Sequence, residues 1–562
     1  MPASPDPRTD DPSDAAGRSR RRSALRARAA PWLTSLLLLL PAALPYVGHA
    51  LYATYGASPT GFIQIDMPQY MAYAREIFEG GGPPLLYANP FSPDERAPQI
   101  YFHLQSLAMG LLWRATGWDP GVVFVVFGLF AALACARVGV ALYAEVVGLG
   151  GGAQRLGLVG FFWGGGLLAL TGAATSLAVR GRVEQIFAFD PFEGWWFLNF
   201  GRNLILPTEA YYHALFLGCV LAVIRERYRL ALLLVLLVCA SHHFTAVELL
   251  LTLLAWAALE RLIVRAPRPP WAFPLALLGI AAAFFAYTFG VLEAFEEHRE
   301  VSAQMKLDWT YEARHIVPAY ALVAGLALWR MRGPQRVAAV LAEPRNRLFV
   351  VWFAVAFALA NHELVMRPIQ PLHFTRGYVW LPLFLLGAPV LVGGLQALRE
   401  RAGSALGAAA AGLVVAVFCL DNAAWLGAFP LEHVTGRTHA GVVLAPEQRE
   451  VLRWLDRPEN AGRLLLSEDP AIGYLAPVYT PVRSWQSHRF STPGYAARGA
   501  ELKALFRRGR MLPQWEQRRL LILVNSRPGA PSPPAWLARR GAERVLENPA
   551  FAVYRLDPKA GG

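Results

Sequence analysis

Ionisable side chains in this chain collect near the ends of long apolar segments. Charged groups at membrane depth are unfavourable unless they pair or line a wet cavity, so such residues mark a candidate functional site. Carboxylates and imidazoles transfer protons, and guanidinium groups bind anions such as phosphate. The residues of these types that fall toward one face of the membrane are Asp66, His103, Glu209, His213, His242, His243, His362, Glu363, Arg367, His373, Arg376 and Asp421.

The most distinctive local pattern follows Asp66. Pro68, two positions later, suits the first turn of a helix. The next apolar positions have the i, i+3, i+4, i+7 spacing of a helix that lies on a membrane surface. They are Tyr70, Tyr73, Ala74 and Ile77. The sequence therefore predicts an acidic residue after the first membrane span and an amphipathic surface helix directly behind it.

The composition requires a membrane protein. Of 562 residues, 55% are hydrophobic and 17% charged, and the mean hydropathy is +0.33. A soluble globular protein carries roughly 25% charged residues, so a soluble enzyme and a disordered chain are both excluded. The net charge of +13 does not indicate a nucleic-acid partner, because the basic residues form short clusters between apolar runs.

Apolar runs of about 18 or more residues are long enough to cross a bilayer as helices. The four cysteines lie inside such runs and are interpreted as small buried hydrophobic residues, not as disulfides or metal ligands. The predicted fold is a mostly α, polytopic bundle of about 11–13 helices. The spans are predicted near 31–54, 121–145, 156–178, 206–224, 271–293, 315–331, 347–361, 377–398 and 404–428.

Two segments are ambiguous. Residues 100–117 carry His103 and Arg114 and are predicted as a juxtamembrane or re-entrant helix, because a further crossing would break the alternation of inner and outer loops. Residues 230–260 are interrupted by Ser241-His242-His243, which predicts two short helices hinged at the histidine pair. One long helix through 230–260 remains an alternative.

The arginine clusters predict the orientation, because short cytoplasmic loops are enriched in Lys and Arg. They place this multi-pass plasma (inner) membrane protein with its N-terminus in the cytoplasm. The predicted units are a disordered basic cytoplasmic tail (1–29), a transmembrane domain (30–429) with a long first outer loop (55–99), and a non-cytoplasmic domain (430–562).

The C-terminal region is predicted as a small α/β domain, because strand-like and helix-like patterns alternate there. The loop Ser484–Gly494 carries Trp485 and His488, and its pattern indicates no specific role. The strands are predicted at 463–467, 519–524 and 551–556, and the helices at 446–457, 495–508 and 533–540.

The order of elements resembles the GT-C superfamily of integral-membrane glycosyltransferases, which includes the protein mannosyltransferases and aminoarabinose transferases. The resemblance covers roughly residues 30–430. It is carried by the short cytoplasmic tail, the D-x-P-x-Y-x-x-x-A-R-E segment that begins at Asp66, and the hinged helices at 230–260. Many family members carry a second acidic residue beside the first, whereas Ile65 and Met67 flank Asp66 here.

The resemblance implies inverting transfer of a sugar from a polyprenyl-phosphate-linked donor, on the outer face, to a glycan, lipid or protein of the cell envelope. Asp66 then corresponds to the general base or acceptor-orienting acid. Its alternative interpretation is an N-cap that accepts hydrogen bonds from free N–H groups at the start of the following helix. Both roles are compatible with the sequence.

The donor phosphate needs cationic partners near the outer headgroup level, and Arg367 and Arg376 are preferred because guanidinium binds phosphate bidentately. Interfacial anchoring is the alternative for both arginines, and likewise for the aromatic stretch 187–200, which otherwise stacks on sugar or lipid. The predicted substrate-binding residues are Tyr70, His103, Glu209, His242, His243, Arg367, His373 and Arg376.

No cofactor is predicted, although the resemblance leaves room for a divalent cation. Adjacent histidines in a helix point about 100° apart, so His242 and His243 do not readily share a metal. Two other classes stay open: a transporter of lipid-linked substrates, and a non-catalytic assembly protein with the same fold. Convergence of Asp66, Arg376 and His242 on one groove would favour the enzyme.

Overall fold

The computed structural model describes residues 12–51, 57–81, 83, 85–94, 96–310, 312–401, 404–434, 442–526 and 534–558. Residues 1–11 of the predicted tail, 52–54 of the first predicted span and 55–56 of the predicted outer loop lie outside these ranges. The same holds for 435–441, where the predicted C-terminal domain begins, and for residue 533 of the last predicted helix.

The chain is mostly helical up to residue 434, as its hydropathy predicts. These helices are α1 (Pro12–Leu51), α2 (Pro68–Glu79), α3 (Leu104–Thr116), α4 (Pro120–Val147), α5 (Gly152–Trp163), α6 (Leu168–Arg180), α7 (Phe200–Asn203), α8 (Pro207–Ile224), α9 (Tyr228–Cys239), α10 (His243–Ala258), α11 (Ala272–Phe285), α12 (Glu296–Gln304), α13 (Ala313–Arg330), α14 (Pro334–Ala342), α15 (Pro344–Ala360), α16 (Trp380–Arg401), α17 (Ser404–Phe418) and α18 (Leu420–Val434).

Among the described residues, five helices are long and apolar enough to cross a membrane, and two bent pairs raise the number to seven. The straight candidates are Ala30–Leu51, Pro120–Val147, Pro207–Ile224, Ala272–Ala294 and Trp380–Arg401. The prediction of a polytopic, mostly α protein is confirmed. Shorter helices such as α9, α10 and α15, with 12, 16 and 17 residues, make up much of the rest of the larger predicted bundle.

The structure corrects two predicted straight spans. Residues 156–178 are divided between α5 and α6, which are bent by 68°, and 404–428 between α17 and α18, which are bent by 60°. The Asp421 carboxylate lies where both breaks meet. It accepts hydrogen bonds from the backbone N–H groups of Gly166, Leu168 and Ala169. This carboxylate replaces the intrahelical partners that a helix start lacks, which stabilises the bend.

The structure shows which helices form in the two ambiguous segments. Residues 230–260 form two helices, α9 and α10, with the break at residues 240–242, as the histidine pair predicts. Within 100–117 only α3 forms, and its 13 residues rise about 20 Å, which is short of a full bilayer crossing. Helix α1 extends through residues 12–29, which the sequence analysis places in a disordered tail. Alanine and arginine dominate this stretch and both favour helix.

The C-terminal region contains a five-stranded sheet with the order β4-β3-β5-β7-β6. Strands β4, β3 and β5 are parallel, and β7 and β6 are antiparallel. The elements are β1 (Ser58–Pro59), β2 (Val443–Leu444), α19 (Pro446–Leu455), β3 (Leu464–Ser467), α20 (Pro470–Tyr479), β4 (Arg483–Ser484), α21 (Tyr495–Arg508), α22 (Pro513–Glu516), β5 (Leu520–Asn525), α23 (Ala535–Ala538), β6 (Glu543–Glu547) and β7 (Phe551–Leu556).

Strands β3, β5 and β7 coincide with the three predicted strands, so the mixed α/β character is confirmed. The sequence analysis misses β4, β6 and α20, and α23 is shorter than the helix predicted at 533–540. Strand β4 has two residues, too few for an alternating pattern. Helix α20 carries Pro477, which weakens its helical pattern in the sequence.

The C-terminal region packs directly onto the segment that begins at Asp66. Strand β1 pairs with β2, and Arg483 forms an ion pair with Glu76 of α2 at 2.7 Å. Arg483 also donates hydrogen bonds to the carbonyl oxygens of Asn89 and Ser92. Burial raises the pKa of Glu76 above its ordinary value, and the Arg483 guanidinium offsets part of this rise. Helix α2 is therefore held between the bundle and the sheet.

Candidate functional site

Helix α2 sets the position of Asp66. The helix begins at Pro68, as predicted, and its N-cap residue is Met67, with no side-chain hydrogen bond to the helix start. The N-cap interpretation of Asp66 is therefore wrong. Asp66 is one residue too far from the helix and its side chain turns elsewhere, because a partner from the C-terminal region takes its carboxylate.

That partner is His488. The His488 Nε2 atom lies 3.1 Å from Asp66 Oδ1, although the two residues are 422 positions apart. The imidazole is 3% exposed, whereas the Asp66 side chain is 38% exposed. Asp66 thus combines a buried hydrogen-bond partner with access from outside, which suits a carboxylate that takes a proton from a substrate.

Aromatic side chains of α2 line the site beyond Asp66. The Tyr70 ring lies 5.6 Å from the His103 ring and 6.1 Å from the Tyr73 ring. His103 is the N-cap residue of α3, and its Nδ1 accepts a hydrogen bond from the Ser106 N–H. Burial raises the pKa of Tyr73 to about 12, so its hydroxyl keeps its proton near neutral pH.

The cationic part of the site is Arg376. Its guanidinium donates a hydrogen bond to the Glu209 carboxylate and lies 5.3 Å from the centre of the Trp196 ring. The backbone oxygen of Arg376 lies 2.8 Å from His213 Nε2. Glu209 and His213 both belong to α8, so this helix holds the side chain and the backbone of Arg376.

Two imidazoles complete this end of the site. The His242 ring is stacked on the Tyr212 ring with centroids 4.3 Å apart, and Tyr212 lies beside Tyr70. The His373 ring lies 6.4 Å from the His242 ring and 5.1 Å from the Trp196 ring. His242 is the N-cap residue of α10, and its Nδ1 accepts a hydrogen bond from the Thr245 N–H.

Two buried polar atoms at this end, Glu209 Oε2 and His373 Nδ1, have no hydrogen-bond partner among the described residues. The Tyr212 hydroxyl is paired with the Tyr70 hydroxyl. Buried polar groups in folded proteins are almost always paired with protein atoms, ordered water or a ligand. Two such atoms around one guanidinium indicate a place where a polar molecule is held.

Two predicted residues do not join this cluster. His243 faces the opposite side of the α9–α10 break, where it lines a cavity of about 280 Å³ with His103, Ser241 and Phe284. Arg367 is exposed, and no contact of its side chain with the other predicted residues is found in the described ranges. The remaining predicted residues are near one another: Tyr70, His103, Glu209, His242, His373 and Arg376 surround the face of α2 that follows Asp66.

Several solved structures have a backbone trace similar to that of this chain over most of its length. ArnT from Cupriavidus metallidurans in the apo state has a TM-score of 0.47 and 10% identity, over 92% of this chain and 97% of that chain. ArnT bound to undecaprenyl phosphate has a TM-score of 0.46 and 13% identity, over 94% and 99%. The Archaeoglobus fulgidus oligosaccharyltransferase tethered with an acceptor peptide has a TM-score of 0.46 and 11% identity, over 89% and 70%.

No protein-family profile matches the sequence, and a comparison with curated proteins finds no match. At these identities and TM-scores the similarity is limited to the backbone trace and assigns no role to any side chain.

The structure adds residues that the sequence analysis leaves without a role. His488 and Ser491 come from the loop Ser484–Gly494, Gln69 from α2 and Tyr212 from α8. The sequence gives little indication of a role for His488 and Ser491, because a histidine and a serine three residues apart are common in polar loops. Only the packing of the loop against α2 brings these two residues to the site.

The described residues contain no group of three or more His, Cys, Asp or Glu side chains arranged to hold a metal ion. The polar groups of the site are instead one exposed carboxylate, one guanidinium and several imidazole and phenol groups. Such a set can bind an anion at Arg376 and accept a proton at Asp66.

Proposed function

We propose that this protein is a membrane glycosyltransferase that moves a sugar from a polyprenyl-phosphate-linked donor to a hydroxyl acceptor on the non-cytoplasmic face. The observation that carries the proposal is the set of unpartnered buried atoms around Arg376, next to the helix that presents Asp66. An anion site and a half-exposed carboxylate at opposite ends of one aromatic surface are what this reaction requires.

Arg376 is the proposed ligand of the donor phosphate. A guanidinium has five N–H donors, and only one hydrogen bond from this side chain, to Glu209, is formed with the described residues. The remaining N–H groups are free to donate to phosphate oxygens. Glu209 and the Trp196 ring hold the guanidinium plane, so little side-chain freedom is lost when an anion binds.

Asp66 is the proposed general base. It takes the proton of the acceptor hydroxyl while the acceptor oxygen forms a bond to the anomeric carbon. The bond from that carbon to the phosphate oxygen breaks, and the polyprenyl phosphate leaves with the electron pair. Arg376 stabilises the charge that grows on the leaving phosphate. The attack from the side opposite the phosphate inverts the anomeric carbon.

The cavity beside the α9–α10 break is the proposed place for the start of the prenyl chain. Its walls are mostly apolar and include Leu236, Ile280 and Phe284. His103 belongs both to this cavity and to the Tyr70 contact, so the cavity adjoins the polar site. A phosphate at Arg376 and an apolar chain in the cavity would place the sugar over Tyr70.

The test uses the full-length protein in proteoliposomes with radiolabelled undecaprenyl-phosphate hexose and cell-envelope acceptor. Asp66→Asn should lower transfer by about 10²–10⁴-fold, because positioned base catalysis contributes that much. Asp94→Asn, an exposed carboxylate in the same loop region, is the matched control and should leave transfer unchanged. Transfer by Asp66→Asn within a few-fold of the native protein would refute the role of Asp66 as base.

Binding is measured separately from chemistry, with undecaprenyl phosphate alone. Asp66→Asn should bind this lipid as the native protein does, whereas Arg376→Lys should bind it about tenfold more weakly because it loses the bidentate contact. Arg314→Gln, an exposed arginine paired with Glu312, is the control. Equal binding by Arg376→Lys would place the phosphate elsewhere, and binding without any transfer would favour the assembly-protein alternative.

A further inference from the structure

The loop Ser484–Gly494 of the C-terminal region reaches across the first outer segment to the site. Asn89 donates a hydrogen bond to the backbone oxygen of Ser491 at 2.8 Å, and Gln304 of α12 donates to the backbone oxygen of Thr492 at 3.0 Å. Phe490 packs against Trp309 with ring centroids 5.7 Å apart, and Trp309 lies 6.0 Å from His373. The loop therefore contacts Asp66 directly and approaches His373 through Trp309.

The hydrogen bonds at His488 have one consistent direction. Asp66 Oδ1 is a carboxylate oxygen and only accepts, so His488 Nε2, at 3.1 Å, carries the hydrogen. In the neutral imidazole Nδ1 then accepts, and the Ser491 hydroxyl at 2.9 Å donates to it. The Tyr73 hydroxyl lies 3.4 Å from Ser491 Oγ and 3.5 Å from Gln69 Oε1 and can donate to either. With the Ser491 hydrogen on His488 Nδ1, a chain of hydrogen bonds runs from Ser491 through His488 to Asp66.

The imidazole has little freedom to move. His488 is 3% exposed and Ser491 is 4% exposed. Rings surround the imidazole, with centroids at 5.6 Å for Phe91, 5.3 Å for Tyr474 and 5.9 Å for Phe490. A donor held this firmly fixes the carboxylate that it binds.

Only one carboxylate oxygen of Asp66 is used by this contact. Oδ1 accepts from His488, and Oδ2 forms no hydrogen bond with the residues that the structure describes. The side chain is 38% exposed, so Oδ2 is the atom open to a substrate. Oδ1 therefore orients the carboxylate, and Oδ2 is left to react with the substrate.

We infer that His488 is a positioning residue for Asp66, and that the C-terminal region completes the active site by supplying it. The inference rests on the proposed function. The Nε2–H group holds Oδ1 and aims Oδ2 at the acceptor hydroxyl. The proton of that hydroxyl moves to Oδ2 and from there to solvent, while the imidazole keeps its own hydrogen throughout.

The test compares His488→Phe, which fills the slot but has no donor, with His488→Gln, whose amide N–H can replace Nε2–H. Partners that orient a reacting group typically contribute about 10–100-fold. His488→Phe should lower kcat by that factor with the KM for the lipid donor unchanged, and His488→Gln should recover most of the loss. Equal losses in both variants, accompanied by a lower melting temperature, would show a merely structural role and overturn the inference.

A double mutant separates this inference from the proposed function. In the Asp66→Asn background, His488→Phe should cause no further loss, because His488 acts through Asp66. A full additional loss in that background would overturn the inference. If Asp66→Asn alone is fully active, the proposed function fails first; if Asp66 is essential and His488→Phe is fully active, only the role of His488 fails.

Ser491→Ala keeps the test decisive if His488→Phe does not fold. This variant removes the hydroxyl that holds Nδ1 but leaves the backbone contact with Asn89 intact. It should lower kcat by several-fold, because Nδ1 loses the hydroxyl that fixes the tautomer and orientation of the imidazole. An unchanged kcat in Ser491→Ala would count against the proposed chain of hydrogen bonds.

Discussion

The guanidinium of Arg376 forms an ion pair with the carboxylate of Glu209, which stands 167 positions earlier in the chain. The Glu209 side chain is 4% exposed and that of Arg376 is 20% exposed. The pair therefore lies at the border of the protein interior, with the carboxylate inside and the guanidinium facing the site. Glu209 balances the charge of Arg376 and would repel the phosphate that we propose to bind there.

Glu209→Gln should change stability and anion binding in opposite directions. The amide oxygen still accepts from Arg376, but the guanidinium loses its compensating charge, so the melting temperature should fall. Undecaprenyl phosphate should bind several-fold more tightly, because the like charge beside it is gone. Thermal unfolding with and without this lipid measures both effects. A variant that the lipid stabilises no more than the native protein would contradict the placement of the phosphate at Arg376.

Tyr70→Phe removes the hydroxyl group between the two ends of the site. We expect a rise of about three- to tenfold in the KM for the lipid-linked sugar, the loss of one hydrogen bond to a bound ligand. The ring contacts with His103 and Tyr73 remain and only the hydrogen bond with the Tyr212 hydroxyl is lost, so the melting temperature should fall only slightly. Tyr101→Phe is the control, since that hydroxyl faces His298. Equal kinetics for both variants would exclude Tyr70 from the substrate site.

Arg483→Ala should loosen the C-terminal region from α2. The guanidinium pairs with Glu76 and also binds two backbone carbonyl groups, so its loss leaves a largely buried carboxylate without its partner. We expect the free energy of unfolding to fall by about 3 kcal/mol. Chemical unfolding in detergent measures this, with the exposed Arg507→Ala as control. Transfer activity should fall as well, because His488 is then less firmly placed.

The ion pair between Arg463 and Asp557 gives a pH-dependent prediction. The hydrogen bond from Arg463, at 2.6 Å, lowers the pKa of Asp557 below its ordinary value. Stability from this pair is therefore present above the ordinary pKa of an aspartate, roughly 3.9, and is lost as the pH falls through the lowered folded value.

Asp557→Asn should thus destabilise the protein at neutral pH and not in strong acid. Because the Asp557 side chain is 51% exposed, the loss should stay below about 1 kcal/mol. Melting temperatures of the native protein and the variant between neutral pH and about pH 3 measure this difference. A difference that persists undiminished at the acid end would mean that Asp557 acts through packing and not through its charge.

Several parts of the fold follow from short stretches of sequence. The start of α2 at Pro68, the break between α9 and α10 and strands β3, β5 and β7 lie where the sequence predicts them. Each depends on residues within one or two turns: a proline at a first turn, a polar triplet inside an apolar run, or a short run rich in leucine and valine. The bends at 164–167 and 419 escaped prediction because apolar composition continues through them, and Asp421 stabilises the first bend from a distant segment.

The amino-acid sequence alone determined that this is a multi-pass membrane protein. It also determined that an acidic residue precedes a surface helix and that a basic segment lies late in the bundle. These features follow from the sequence because hydropathy and helical periodicity are local properties. Only the tertiary structure decided which groups meet. Asp66 binds His488 across 422 positions and not the helix that follows it, and Arg376 binds Glu209. Such pairs depend on how the sheet packs against α2 and how the bundle closes, and side-chain type and spacing do not encode these contacts locally.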